Sequence, residues 1–99
     1  MSGAFELSGR ARKDLFDILD YIADDNPAAA LRIGEEIYEA CSRLAERPGI
    51  GHLRDDVTGK PFRFWSVRGR YTIVYHEGFE PLTIVRIFGP GQDMTSALN

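Results

Sequence analysis

Residues 62–76 read FRFWSVRGRYTIVYH. Phe62, Phe64 and Ser66 alternate with Arg63, Trp65 and Val67. After Arg68 and Gly69 the alternation resumes, with Tyr71, Ile73 and Tyr75 set against Arg70, Thr72, Val74 and His76. Successive side chains of a strand point to opposite faces, so a period of two marks a pair of strands, Phe62–Val67 and Arg70–His76. Two residues including a glycine between such runs predict a β-hairpin. Gly78 and Pro81 set off a third run, Leu82–Phe88 (LTIVRIF), which completes a meander. That run ends in Gly89, Pro90 and Gly91. Proline has no N–H for a ladder, and the flanking glycines turn without steric cost.

Upstream of the hairpin the period changes. Residues 48–61 (PGIGHLRDDVTGKP) are a loop by composition. Before them, Ala30, Ile33, Ile37, Cys41 and Leu44 recur at helical spacing, with Asn26 as N-cap, Pro27 in the first turn, and Pro48 and Gly49 as the stop. An earlier helix begins after the cap residue Ser8 and carries Ala11, Leu15, Ile18 and Ile22 on one stripe. Asp14, Asp17 and Asp20 form its acidic flank. So short a connection between the helices, at Asp24–Pro27, predicts an antiparallel α-hairpin. Each helix also has a second apolar shoulder, Phe16, Leu19 and Ala23 on the first and Leu31 and Tyr38 on the second, which calls for a further packing partner. Ala4–Leu7 alternates and reads as a short first strand.

The order β-α-α-β-β-β predicts one α+β domain over residues 1–99, with residues 94–99 as a flexible tail. A four-stranded antiparallel sheet would be covered by the α-hairpin on one face. The other face would be left for solvent or a partner. Large apolar groups on both faces favour a partner chain.

The 99 residues include one cysteine, Cys41, and two histidines, His52 and His76, which rules out an intrachain disulfide and argues against a four-ligand zinc site. Cys41 falls on the apolar face of the second helix and reads as a buried structural thiol. The net charge is −3. Residues 1–50 carry six Lys/Arg against ten Asp/Glu, and residues 51–99 six against five. Such a chain has no strong electrostatic footprint for nucleic acid. It has no apolar run near the ~20 residues of a membrane span and no apolar leader core, and a cytoplasmic location is expected. No cofactor is expected.

Leu7, Ser8, Ala11, Asp14, Leu15, Ile18, Tyr21, Ile22, Ala23, Asn26, Pro27, Ala29, Ala30 and Arg32, followed by Pro48, Gly51 and Arg54 and then by the central hairpin, stand in an order that resembles the ParE toxins of bacterial type II toxin–antitoxin modules, within the wider RelE/ParE superfamily. The resemblance covers residues 5–88. It implies a growth-inhibiting toxin, a ParD-like ribbon-helix-helix antitoxin whose C-terminal segment wraps it, and a toxin–antitoxin hetero-oligomer that meets DNA only through the antitoxin. It implies a target as well: family members with an assigned target mostly act on DNA gyrase, whereas RelE relatives cleave mRNA on the ribosome. Under the resemblance the apolar shoulders and the second sheet face form the antitoxin groove, with Phe16, Leu19, Leu31, Tyr38 and Val74 as contacts.

Cleavage of RNA without metal needs a base, an acid and cations for the developing phosphorane charge. Many relatives place a His-Gly-x-Arg-Asp segment after the last strand. Here the histidine and arginine positions are Gly89 and Gln92, and a glutamine cannot stabilise phosphorane charge as a guanidinium does. Tyr71 and Tyr75 share a face with Ile73 and read as core. The expectation is therefore a toxin without catalytic residues that acts by binding. Its target contacts are Arg63, Trp65, Arg68, Arg70 and Arg86, because guanidinium–aromatic groupings dominate protein hot spots. The alternatives are an antitoxin-binding relative that has lost toxicity and a ribosome-dependent endonuclease. By strand alternation Arg86 faces the same way as Ile84 and Phe88. Asp93 is expected to cap the terminal turn or to pair with an arginine such as Arg86.

Overall fold

The computed structural model describes residues 4–99. The chain runs β1 (Phe5–Leu7), α1 (Gly9–Asp25), α2 (Pro27–Glu46), a single 3-10 turn (Pro48–Ile50), β2 (His52–Leu53), β3 (Arg63–Val67), β4 (Tyr71–His76), β5 (Leu82–Phe88) and α3 (Met94–Leu98). The helix boundaries follow from their caps. The Ser8 hydroxyl accepts the Ala11 N–H at 3.0 Å, and the Asn26 side chain accepts the Ala29 N–H at 3.0 Å, so each satisfies an amide that the first turn leaves orphaned. Arg68 and Gly69 both have positive φ, 59° and 65°, the backbone of the I′ turn that matches strand twist in a two-residue hairpin.

The sheet has five strands in the order β1-β5-β4-β3-β2. β3, β4 and β5 form the expected antiparallel meander, but β1 pairs with β5 in parallel and β2 adds a two-residue edge, so the sheet is mixed rather than a four-stranded antiparallel one. β1 enters the sheet from the far end of the chain.

Two cores form, one on each face. Ala11, Ile33, Ile37, Cys41 and Leu44 of the helices pack on Val67, Tyr71, Ile73, Tyr75, Ile84 and Ile87, with Trp65 partly buried beside them. On the other face Val57, Phe64, Val74, Phe88 and Leu98 form a second cluster, joined by Phe62 and Met94. Much of that face is therefore covered by the chain itself rather than left to solvent or a partner. The loop contributes Val57 and the C-terminal segment contributes Leu98. The expected flexible tail at 94–99 is instead helix α3, whose Leu98 is buried. Asp93 caps it, accepting the Ser96 N–H at 3.2 Å and the Ser96 hydroxyl at 2.8 Å. Asn99 ties the end down, accepting from the Thr58 hydroxyl and donating to the Val57 carbonyl.

The Pro48 and Gly51 positions are organised around one side chain. The Tyr75 hydroxyl donates to the Pro48 carbonyl at 2.6 Å and accepts the Gly51 N–H at 2.9 Å. A Cβ at Gly51 would collide with that hydroxyl, so the position excludes larger residues.

Candidate functional site

The apolar shoulders predicted on the helices converge. Phe16 and Leu19 of α1 and Leu31 of α2, with Leu7, Leu15 and Ala30, line one open cleft of about 720 Å³ along the outer side of the α-hairpin. Phe16 and Leu31 are 65% and 71% exposed, an unusual state for large apolar groups so close together. Leu19 is half-buried over Gly34, where an added Cβ would lie 3.2 Å from its Cδ1. Gly34 thus leaves room for the Leu19 side chain between the two helices. Tyr38 lies two helical turns beyond Leu31 on the same stripe. It is 64% exposed and meets the Phe5 ring edge-to-face at 5.2 Å. Arg12 and Asp20 supply charge at the cleft rim.

Val74 does not belong to this surface. It is 0% exposed in the far-face cluster, beneath the covering supplied by Val57 and Leu98, so it offers nothing for a partner to touch. Its assignment as an antitoxin contact is corrected. The alternation of β4 placed it on the open face, but there the loop and α3 cover it.

Arg86 is likewise corrected as a target contact. A β-bulge falls opposite Val74 and Tyr75: Val74 pairs with Arg86 but Tyr75 pairs with Ile84, so Val85 is left over. Its carbonyl accepts the Ser8 hydroxyl at 2.9 Å. The bulge reverses the alternation. Ile84 and Ile87 join the helix-side core, while the Arg86 guanidinium lies over the Phe88 ring, 4.6 Å from its centroid. β1 stops at Ile84, so the edge of β5 beyond it is open. Asp14 of α1 closes it. Its carboxylate accepts from Arg86 Nε at 2.7 Å, from Arg86 Nη2 at 3.2 Å and from the Ile87 N–H at 3.0 Å. Arg86 is 9% exposed and Asp14 8%, so this guanidinium is a buried structural group and its partner is Asp14, not Asp93.

The four other predicted target contacts lie on β3 and at the hairpin turn. Arg63 is held by Glu77 at 2.5 Å and by the Gly51 carbonyl at 2.8 Å. Arg68 makes a two-point bond to Glu36 of α2, at 2.6 and 2.7 Å. That guanidinium holds the Glu36 carboxyl below its usual range. Trp65 is half-buried against the helix-side core. Arg70 is exposed, and among the described residues no carboxylate lies within salt-bridge distance of it. The structure thus divides these residues: Arg63 and Arg68 are neutralised locally, Trp65 is shared with the core, and Arg70 stays available.

The turn after β5 is closed by Gln92, whose Oε1 accepts the Gly89 N–H at 2.5 Å. Gly91 has φ 80°, which a glycine takes without strain. Tyr71 and Tyr75 are buried, as the alternation predicts. Burial raises the Tyr75 hydroxyl above its usual pKa, which keeps it protonated in its bridge between Pro48 and Gly51. Cys41 is buried and its thiol is pushed up to about 12, which makes it inert as a nucleophile. No helix among the described residues is long and apolar enough to cross a membrane.

A family model described as the ParE toxin of the type II toxin–antitoxin system, parDE, matches residues 5–94. Among solved structures, a chain described as the chromosomal ParDE TA system from P. aeruginosa superposes with a TM-score of 0.73. It is 19% identical and the match covers 90% of this chain and 97% of that one. At that identity the likeness speaks for the fold. No curated protein matches the chain. The α-hairpin on a mixed sheet, the Ser8, Asn26, Pro48 and Gly51 positions with their structural roles, and a family match over nearly the whole chain together show that this chain belongs to the ParE toxin family of type II toxin–antitoxin systems.

Proposed function

We propose that the chain is the toxin of a two-component module and is neutralised by a ParD-like ribbon-helix-helix antitoxin. The observation that carries this reading is the cleft lined by Phe16, Leu19 and Leu31. A partner helix laid into it would meet anchors at helical spacing, the usual groove mode of recognition. The stripe continues through Leu31 to Tyr38, so the bound segment would run along α2. DNA would be reached only through the antitoxin. The setting is the cytoplasm.

The toxin acts by binding, with DNA gyrase as its target. The gyrase assignment rests on the family. Catalysis is disfavoured by the chemistry of the candidate groups: Arg86 is engaged by Asp14, Tyr71 and Tyr75 are buried, and Gln92 stands where many relatives carry an arginine. Arg63, Trp65, Arg68 and Arg70, all on the β3–β4 hairpin, form the target-facing surface.

Co-expression of the chain with its ribbon-helix-helix antitoxin should give a complex that survives purification, and expression alone should arrest growth with DNA-damage signalling. Immediate loss of translation with cleaved transcripts would instead point to a nuclease. One observation favours a second reading, a non-toxic antitoxin-binding relative. Among residues 89–93 the only charged side chain is Asp93, engaged as a helix cap. Normal growth with an intact complex would select it.

A further inference from the structure

The flank of α1 opposite the antitoxin cleft borders a second hollow. The cleft is lined by α1 positions 12, 15, 16, 19, 20 and 23, the hollow by positions 14, 17, 18, 21 and 22. At 100° per residue these two sets lie on opposite sides of the helix. The hollow has a volume of about 510 Å³ and is closed by Arg70 and Tyr71 at the start of β4 and by the turn from Gly89 to Gln92.

Its charges do not cancel evenly. Asp17 is paired with Lys13 at 3.0 Å and Asp14 with Arg86 at 2.7 Å. From Arg54 onward, Arg54, Arg63, Arg68 and Arg86 each have a carboxylate partner, and Arg70 has none among the described residues. The unmatched charge at the mouth is therefore a single guanidinium. Gln92, which also lines the hollow, adds a donor: its oxygen is engaged by the Gly89 N–H, and its amide N–H groups have no hydrogen-bond partner among the described residues. The walls beside these donors are apolar, from Ile18, Ile22 and the ring of Tyr21, which is 81% exposed. One cation, one amide donor and an aromatic wall suit a single carboxylate on a side chain with an apolar neighbour. They do not suit a polyanion, because one unmatched guanidinium offsets only a single charge of a run of phosphates and leaves the rest beside the Asp14 and Asp17 carboxylates that line the hollow.

We propose that this hollow recognises an aspartate or glutamate side chain flanked by an apolar residue, presented by a partner polypeptide, and that it does so independently of the antitoxin cleft. The proposal rests on the reading of Arg70 as a target contact and gives that contact its chemistry. Because the two sites lie on opposite flanks of α1, a chain whose cleft is filled keeps this site open.

The test is an NMR titration of the isotope-labelled full chain with three probes: the capped peptide acetyl-Leu-Glu-Glu-Leu-amide, its glutamine counterpart, and an oligothymidylate. The glutamate peptide should move the resonances of Arg70, Gln92 and Tyr21. The glutamine peptide should bind at least about tenfold more weakly, since a charge-assisted bond is lost. Arg70→Gln should remove the response, and Arg54→Gln, at an arginine paired with Asp56 and outside the hollow, should leave it. Equal affinity for the two peptides, a response that survives Arg70→Gln, no response at all, or a response to the oligothymidylate alone would each overturn the proposal. None of these readouts depends on toxicity or antitoxin capture, so failure here is distinguishable from failure of the toxin reading.

Discussion

Replacing Asp14 with alanine is expected to be the most damaging single change outside the apolar core. The carboxylate meets two guanidinium nitrogens of Arg86 and the Ile87 N–H within 3.2 Å, and the two side chains are 8% and 11% exposed. Alanine leaves a buried cation without its counter-charge. Breaking a buried pair from one side costs about 3–5 kcal/mol. It also orphans a strand-edge N–H, which adds about 1–3 kcal/mol where water does not reach it. A domain of this size holds only about 5–15 kcal/mol in total. At about 4–8 °C per kcal/mol, even the lower figure lowers the melting temperature by at least ~12 °C. Urea unfolding followed by circular dichroism measures the loss. The double variant Asp14→Asn/Arg86→Met supplies the control, since asparagine keeps an acceptor for the Ile87 N–H and methionine removes the stranded charge. It should recover most of the stability. A loss under about 1 kcal/mol for Asp14→Ala, or a double variant as weak as the single one, would refute the reasoning.

Three further outcomes follow from the geometry. Tyr75→Phe strands the Gly51 N–H and the Pro48 carbonyl together and should cost about 1–3 kcal/mol with an unchanged denaturant slope, read from urea midpoints. Burial raises the Cys41 thiol from 9.0 to about 12, so the folded chain keeps a proton that the unfolded chain releases. The stability from this group is complete below pH 9 and is lost as pH rises from 9 towards 12, by up to roughly 4 kcal/mol, and Cys41→Ala should flatten that decline in midpoints measured across the range. Leu31→Glu, at an exposed position, should shift the unfolding midpoint by less than about 0.5 kcal/mol in stability while abolishing retention of the antitoxin in a pull-down.

The hairpin, both long helices and their caps were legible because each is written locally. Arg68 and Gly69 supply their own turn, and Ser8 and Asn26 supply their own caps. Phe16, Leu19 and Leu31 were legible too, as apolar residues beyond what one stripe requires. What escaped was set over long separations. The orientation of Arg86 depends on a bulge at Val85 whose carbonyl is held by Ser8, 77 positions away. Val74 looked open because its cover, Val57 and Leu98, comes from a loop and a tail with no strong periodicity. The direction of β1 cannot be read from three residues. Arg63, Arg68 and Arg70 look equivalent in sequence and differ only because Glu77 and Glu36 fold against two of them. The hollow beside Arg70 had no linear signature, since it joins α1, β4 and the Gly89–Gln92 turn.

Neutralisation of a toxin through the α1–α2 cleft is directly measurable as growth. Viable counts after induction of the chain alone, of the chain with its antitoxin, and of the Leu31→Glu chain with that antitoxin test it in one experiment. The chain alone should arrest growth, the antitoxin should restore it, and arrest should persist when the cleft carries the glutamate. Unimpaired growth with the chain alone, or equal rescue of the Leu31→Glu chain, would contradict it.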